Sequence, residues 1–190
     1  MSTKNTNNKG KIEVICGSMF SGKTKMLINK IKEAKSKNNK VSVFKPKIDV
    51  RYNPEKIVSH EKDEISAIPV NNSKDIVDLA KKSSFVAIDE AQFFDLDIVA
   101  TCVQLAENNT QVVLAGLDMD YLGKPFGPMP KLIAIANQTI TLHANCDICN
   151  EKAHHTYRAS KNNDTIMLGE KGEYLALCKK CFLNKTKNDE

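Results

Sequence analysis

Residues 17–24 are of types that could hold the phosphates of a nucleoside triphosphate. They read Gly17-Ser-Met-Phe-Ser-Gly-Lys23-Thr24, which is G-x-x-x-x-G-K-T at full spacing. Glycines let the backbone curl so that successive N–H groups point into one cavity, and a following helix directs its positive end there. Lys23 offers a charge to the β- and γ-phosphates, and the Thr24 hydroxyl can bind Mg²⁺. Because an apolar run precedes the motif and a helical pattern follows it, a phosphate loop is favoured over a chance glycine-rich turn.

A pair of carboxylates, Asp89 and Glu90, could serve the same chemistry. They follow the apolar residues 85–88, so a buried strand would place Asp89 at the sheet edge beside the phosphate loop. Asp89 would then hold Mg²⁺ directly or through water. An acidic first helical turn would explain the pair equally well in isolation, but the phosphate loop favours the metal-binding interpretation. Glu90 is then available to accept a proton from an attacking hydroxyl or water.

Four of the six cysteines form two C-x-x-C pairs near the end of the chain, separated by 28 residues: Cys146, Cys149, Cys178 and Cys181. Two such pairs are typical of a tetrahedral structural Zn²⁺ site, whereas one alone would also fit a redox pair or buried thiols. The metal would hold the base of a loop over residues 151–177. We expect the other two cysteines, Cys16 and Cys102, in the core, and His154 and His155 on the surface.

Composition limits the remaining possibilities. At 190 residues with 41% apolar content, one α/β domain with a small appendage is expected. A net charge of +5 is too small to argue for nucleic acid. No apolar run is long enough for a membrane span, and the polar residues 1–10 resemble a disordered tail rather than a signal peptide. These features predict a cytoplasmic protein, and in a reducing cytosol the six cysteines are not expected to form disulfides.

The elements that must position these residues alternate along the chain. This alternation predicts a parallel sheet with helices on both faces. The expected strands are 12–16, 41–44, 85–88, 111–117 and 138–142, with a further short strand at 65–68. The expected helices are 24–37, 73–82 (capped by Ser73, with Ile76, Val77, Leu79 and Ala80 inward), 95–107 and 132–136. We expect a core over residues 11–142 and a small module without a long helix over residues 143–190.

Two further segments are ambiguous in the sequence. Residues 45–64 have no period, which indicates a disordered or a functional segment. Within them, Asp49 and Arg51 are either a solvated pair or functional groups. Residues 116–127 follow the fourth predicted strand, and their Tyr121 and Phe126 could either stack on a base or cover the core.

Taken together, these residues resemble the type II thymidine kinase family, the zinc-containing kind of bacteria and animal cytosol. Five elements occur in order from residue 11 to about residue 183. They are 17–24, Phe44-Lys-Pro-Lys-Ile-Asp-Val-Arg51, Asp89-Glu-Ala-Gln-Phe-Phe94, Gly116-Leu-Asp to Lys124-Pro-Phe-Gly127, and the paired C-x-x-C. The resemblance implies a RecA-like P-loop core, and a zinc domain that carries a "lasso" loop.

The resemblance also implies transfer of the ATP γ-phosphate to the 5′-hydroxyl of thymidine, with Glu90 as proton acceptor. It places on the nucleotide and Mg²⁺ side Gly17, Ser18, Met19, Phe20, Ser21, Gly22, Lys23, Thr24, Asp49, Arg51, Asp89 and Gln92. It places around thymidine Met19, Phe93, Leu117, Tyr121, Phe126, Thr156 and Tyr174, with the lasso residues Thr165, Ile166, Met167, Leu168 and Gly169. Tyr121 stands where the family usually has Phe. Feedback by dTTP and a homotetramer are implied by the family alone.

Other functions remain to be separated from this one. A P-loop ATPase acting on nucleic acid, of helicase or recombinase type, would also explain Asp89-Glu-Ala-Gln and a cysteine ribbon. A helicase normally has two such cores, however, and the basic residues form no stripe. A zinc-binding adaptor would leave Lys23 and Asp89 unexplained. Arg158, which with Arg51 makes up the entire arginine content, is a hypothetical phosphate contact at the start of the lasso.

Overall fold

The computed structural model describes residues 10–49, 55–59, 63–159 and 173–188. Strands and helices alternate as far as Leu142, apart from three short strands that follow one another within residues 56–70. The elements of this part are β1 (Ile12–Gly17), α1 (Lys23–Ser36), β2 (Val41–Pro46), β3 (Lys56–Val58), β4 (Glu64–Ser66), β5 (Ile68–Val70), α2 (Asp75–Leu79), β6 (Phe85–Ile88), a 3₁₀ turn (Ala91–Phe93), α3 (Ile98–Glu107), β7 (Gln111–Gly116), α4 (Met129–Ile135) and β8 (Gln138–Leu142).

Six of these strands form one parallel sheet in the order β5–β2–β6–β7–β1–β8. β1, β6 and all of β7 except Gln111 are buried, and they are mostly apolar because both faces of the sheet are covered. All six strands run the same way, so their carboxyl ends lie at one edge, where ligands of such sheets bind. β1 lies between β7 and β8, and it delivers the phosphate loop to that edge.

Alternate side chains of the sheet enter two separate hydrophobic layers. Val14 and Leu114, for example, pack in the layer covered by α2, α3 and α4. Ile15 and Val113 point the other way, into the layer covered by α1 and by Ile57 of β3. The arrangement confirms the predicted α/β class, in which a parallel P-loop sheet has helices on both faces.

The chain after Leu142 forms a third hydrophobic cluster. Its elements are β9 (Ala144–Asn145), β10 (Lys152–Ala153), β11 (His155–Arg158), β12 (Tyr174–Leu177) and α5 (Lys179–Asn188). β9 pairs with β10, and β11 pairs with β12, both antiparallel. Ala153, Leu177 and Phe182 are the centre of the cluster. The predicted tail 1–10, apart from Gly10, lies outside the described residues.

The expected helix from Ser73 is shorter than predicted. It covers only Asp75–Leu79, and Leu79 is 51% exposed rather than inward. The Ser73 hydroxyl does not cap the helix, because it donates to Asp95 Oδ1 instead. The predicted Asp95 start of the next helix is also wrong, since α3 begins at Ile98.

Strand assignments were wrong in the polar part of the chain. The predicted strand 65–68 is divided at Ala67, because β4 pairs with β3 while β5 joins the main sheet beside β2. The aperiodic residues 45–64 therefore contain regular structure. The module after residue 143 also ends in a ten-residue helix, α5, which its polar sequence did not predict.

Candidate functional site

The phosphate loop joins β1 to α1 at the carboxyl edge of the sheet. Gly17 has φ 140° and Gly22 has φ 86°, backbone conformations that residues other than glycine rarely adopt. A Cβ on Gly17 would lie 2.1 Å from the Leu142 carbonyl oxygen, so glycine is required there also for space. The Lys23 Nζ donates to the Ser18 carbonyl oxygen at 2.7 Å, across the mouth of the loop. The loop therefore has the curled form that its spacing predicts.

Asp89 lies directly beside the first turn of α1. The Thr24 hydroxyl donates to its two carboxylate oxygens at 3.4 and 3.2 Å. Asp89 is 5% exposed, and its backbone N–H donates to the Phe44 carbonyl oxygen, which fixes the end of β6 against β2. A hydroxyl and a carboxylate in contact at this edge are the two ligands expected for the Mg²⁺ of a P-loop enzyme.

A buried ion pair at the end of β2 was missed by the sequence analysis. Lys45 Nζ lies 2.9 Å from Asp49 Oδ2, and the two side chains are only 2% and 9% exposed. The same ammonium donates to the Lys56 carbonyl oxygen. Asp49 is therefore not a solvated carboxylate. The available signal was a lysine directly after the apolar residues of a buried strand; Arg51 lies outside the described residues.

Glu90 has a left-handed backbone, with φ 52° and ψ 43°. Such a conformation is uncommon for a residue with a long side chain and is concentrated at functional sites. Its Oε2 accepts a hydrogen bond from Gln92 Nε2 at 2.5 Å. The Gln92 Oε1 in turn accepts from the Leu117 backbone N–H at 3.0 Å. The candidate proton acceptor is thus joined to the loop that follows β7.

That loop, residues 117–126, is folded on itself; we call it the acceptor loop. The Asp120 carboxylate accepts from the backbone N–H groups of Leu122 and Lys124, both at 2.9 Å. Phe126 meets Phe93 edge to face, with ring centroids 5.5 Å apart. The loop therefore holds its aromatic residues in defined positions.

Two polar atoms at this edge lack a hydrogen-bond partner among the residues that the structure describes. They are Asp118 Oδ1 in the acceptor loop and Ser21 Oγ in the phosphate loop. A buried polar atom without a partner costs free energy in a folded protein. Both atoms belong to loops of the candidate site, so a bound ligand could supply the missing hydrogen-bond partners.

Arg158 lies between two tyrosines, Tyr121 and Tyr174, and interacts with both. The Arg158 guanidinium carbon lies 3.8 Å from the Tyr121 ring centroid, and the side chain is buried. Arg158 pairs with Tyr174 in the β11–β12 register. Burial raises the pKa of the Tyr174 hydroxyl, while the charge and a hydrogen bond of Arg158 oppose that rise. In this structure Arg158 thus joins the acceptor loop to the β11–β12 hairpin.

The module after Leu142 is attached to the phosphate loop itself. The Met19 backbone N–H donates to Thr156 Oγ1 at 2.9 Å, and the Ser18 hydroxyl donates to the Ala153 carbonyl oxygen at 3.4 Å. Phe20 packs against the hydrophobic cluster of the module. The phosphate loop is therefore held between β1 and this module.

The four cysteines lie close together at the base of the β11–β12 hairpin. Their sulfur atoms all lie within 4.8 Å of one another, and Cys149 Sγ is 3.6 Å from Cys178 Sγ and from Cys181 Sγ. Tetrahedral Zn²⁺ with bonds of about 2.3 Å needs sulfur atoms about 3.8 Å apart. The cluster fits a metal ion such as Zn²⁺ with four protein ligands.

The other cysteines and histidines have structural positions. Cys16 and Cys102 are buried as predicted, and burial raises the Cys102 pKa to about 12. His154 is exposed as predicted, but His155 is not a surface residue. Its half-buried ring stacks on Phe182 with centroids 4.5 Å apart. The prediction failed because a polar sequence position gave no sign of this aromatic partner.

Several of the candidate pocket residues contact one another. Phe93 contacts Phe126, Met19 contacts Thr156, and Tyr121 contacts Arg158, the strand partner of Tyr174. The lasso residues Thr165, Ile166, Met167, Leu168 and Gly169 lie outside the described residues. Among the helices that the structure describes, none has both the length and the hydrophobicity to span a membrane.

Comparison with known proteins gives a consistent family. The model of the family described as "Thymidine kinase" matches residues 10–182. A thymidine kinase of Bacteroides thetaiotaomicron is 47% identical over 184 residues, covering 97% of this chain and 92% of that protein. A thymidine kinase of Porphyromonas gingivalis is 47% identical over 174 residues, covering 92% and 85%.

A more distant likeness is to a solved structure, the Pif1 helicase from Candida albicans. The TM-score is 0.43 at 15% identity, over 71% of this chain and 36% of the helicase. A likeness of that size carries no functional information. The family model and the relatives cover nearly the whole chain at high identity, and the chain therefore belongs to the thymidine kinase family.

Proposed function

We propose that the protein transfers the γ-phosphate of ATP to the 5′-hydroxyl of thymidine, with Glu90 as the proton acceptor. Membership of the thymidine kinase family supports the reaction. The observation that carries the assignment is the arrangement at the sheet edge. Thr24 contacts Asp89 there, and the next residue, Glu90, is connected through Gln92 to the acceptor loop. Asp89 thus contacts the start of α1, whereas Glu90 contacts Gln92, which in turn bonds to the acceptor loop.

The nucleotide side of the proposed site is the phosphate loop with the end of β2. The loop amides and Lys23 would neutralise the phosphates, and Thr24 with Asp89 would hold Mg²⁺, which supplies further charge neutralisation for the transferred phosphoryl group. Asp49 would complete this side from its buried pair with Lys45. Arg51 belongs to this side by the resemblance.

The acceptor side is proposed to enclose thymidine between the acceptor loop and the hairpin of the cysteine module. The resemblance assigns this side Met19, Phe93, Leu117, Tyr121, Phe126, Thr156 and Tyr174, with residues 165–169 closing over the base. The T-shaped pair of Phe93 and Phe126 supports an aromatic wall here. Enclosure would keep water away from the transferred phosphoryl group.

We propose Zn²⁺ as the metal of the cysteine cluster, in a structural role. Four thiolates would fill all four coordination positions, so no position is left for a water or a substrate. The metal would fix the base of the hairpin that carries Thr156 and Tyr174.

Wider properties follow from the family and are proposed with it. They are salvage of thymidine for DNA synthesis, feedback inhibition by dTTP, a homotetramer and a cytoplasmic location. We expect neither nucleic acid nor membrane among the partners.

A direct assay separates this function from a nucleic-acid-dependent ATPase. Purified protein is incubated with γ-labelled ATP and Mg²⁺, first with thymidine and then with single-stranded DNA. We expect label on thymidine and no DNA-stimulated release of free phosphate. If no label reached thymidine and the release of free phosphate depended on DNA, the assignment would be reversed.

A further inference from the structure

Gln92 is buried in the candidate site, between Glu90 and the acceptor loop. Its side chain is 2% exposed, and both ends of its amide are hydrogen-bonded. A Cβ on Gly116 would lie 2.9 Å from Gln92 Oε1, and a Cβ on Gly127 would lie 2.3 Å from the Gln92 carbonyl oxygen. The acceptor loop therefore leaves and returns through two glycines that both touch Gln92.

The orientation of the Gln92 amide follows from its partners. The Leu117 backbone N–H is only a donor, so the amide oxygen must face it. The amide nitrogen must then face Glu90, to which it donates at 2.5 Å. An ionised carboxylate is only an acceptor, and an N–H donor is the partner that it requires. The acceptor loop thus determines, through one side chain, which group is presented to Glu90.

We infer that Gln92 is a positioning residue that couples the acceptor loop to Glu90. This inference rests on the proposed function, and it differs from the nucleotide-side role that the resemblance gives Gln92. When the acceptor loop is in place, Leu117 orients the amide, and the amide holds Glu90 in its left-handed backbone position. Because this chain of contacts ends on the proton acceptor, Gln92 affects the reaction through Glu90.

The experiment is a double-mutant cycle of Gln92→Met with Glu90→Ala. Methionine keeps the volume of glutamine but has no N–H donor. In the wild-type background we expect kcat to fall about 10²-fold, the cost of a misplaced catalytic group. The thymidine KM should rise, because the acceptor loop loses its anchor, whereas the ATP KM should not change. In the Glu90→Ala background, Gln92→Met should change kcat by no more than about twofold, because the group that it positions is absent.

Two further variants make the cycle interpretable. Gln92→Glu keeps an acceptor for the Leu117 backbone N–H but places a second carboxylate against Glu90. Its kcat should therefore also be lower than that of the wild type. If Gln92→Met does not fold, the Gln92→Glu cycle with Glu90→Ala tests the same coupling. Gln111→Glu makes the same chemical change at an exposed position at the far end of β7, and its kcat should equal that of the wild type.

Equal falls of kcat in both backgrounds would overturn the inference, since they would show that Gln92 does not act through Glu90. A raised ATP KM with normal kcat would also overturn it and would favour the nucleotide-side role. If the wild-type chain itself phosphorylates no thymidine, the proposed function fails first. Normal thymidine phosphorylation with an additive cycle leaves the function intact and removes only this inference.

Discussion

Glu90 occupies a backbone conformation that most residues avoid, and its neighbours maintain it there. The conformation costs roughly 1–3 kcal/mol. The Glu90 carbonyl oxygen accepts from the Phe93 backbone N–H in the 3₁₀ turn that follows, and the Glu90 side chain accepts from Gln92. The position of this carboxylate is thus an outcome of the fold rather than of its own preference, which is consistent with the proposed role of Glu90 as proton acceptor.

Replacement of Glu90 by glutamine tests its role at the scale of one atom. Glu90→Gln keeps the shape but removes the basic oxygen, so kcat should fall roughly 10²–10⁴-fold, the usual worth of a positioned base. The ATP affinity should change little, because Glu90 serves the acceptor side of the proposed site, to which Gln92 connects it. Steady-state kinetics and an ATP-binding titration measure the two effects. A variant with normal kcat, or with lost ATP binding, would make Glu90 a metal-site residue instead.

Lys45 gives a second prediction at this scale. Lys45→Met would leave the Asp49 carboxylate buried without the ammonium that lies 2.9 Å from it. Removing one partner of a buried ion pair costs about 3–5 kcal/mol. Urea unfolding should therefore show a free energy of unfolding lower by that amount. Lys47→Met, the same change at an exposed position two residues later, is the control and should be nearly neutral. Equal stability of the two variants would contradict the prediction.

Among the elements, the start of α1 carries Lys23, which belongs to neither hydrophobic layer of the sheet. Lys23 reaches back to the Ser18 carbonyl oxygen, and its side chain is only half-buried. Lys23→Ala should leave the fold intact for this reason. It should abolish phosphorylation, because the charge proposed to bind the phosphates is lost. Circular dichroism and thermal unfolding should match the wild type while the assay shows no product. An unfolded Lys23→Ala protein would mean that this lysine is structural.

The cysteine module gives a prediction about metal. Pure protein should contain one Zn²⁺ per chain, and Cys178→Ala should remove it, because the cluster loses one of four ligands. Hydrogen exchange should then quicken in the described parts of residues 151–177, and the thymidine KM should rise, since Thr156 and Tyr174 lie on that hairpin. Lys180→Ala, an exposed change inside the same C-x-x-C pair, is the control. Active wild-type protein without zinc would exclude the metal.

The elements also show which parts of the fold were predictable. β1, β6 and β7 could be placed because most of their residues are apolar and buried. β3–β5 could not, because short strands with polar faces have no such signal. Ser73 was misread because its hydroxyl bonds to Asp95, 22 positions away. The same limit applied to the candidate site, whose residue types could be identified from the sequence motifs. The Lys45–Asp49 pair and the link from Leu117 through Gln92 to Glu90 could not, because they depend on tertiary contacts.

For the whole molecule, the phosphate loop is a junction of three parts of the chain. β1 supplies it, β8 lies against it through Leu142 and Gly17, and the cysteine module bonds to Ser18 and Met19. An assembly of four chains, as the family implies, stays a prediction. Sedimentation at micromolar concentration would test it, and a single species of 21.1 kDa would contradict it.

The place of β1 between β7 and β8 has a consequence for synthesis on the ribosome. Ile12 pairs with Val112, and Glu13 with Gln138, so β1 has its partners only after a hundred further residues. A nascent chain halted before residue 111 leaves β1 without either neighbour among the described strands. Domains generally fold as units during translation, and non-local parallel pairing is slow. Stalled chains of increasing length should therefore stay sensitive to protease until β8 has left the exit tunnel, and protection of a 110-residue chain would show that the sheet can begin from another strand.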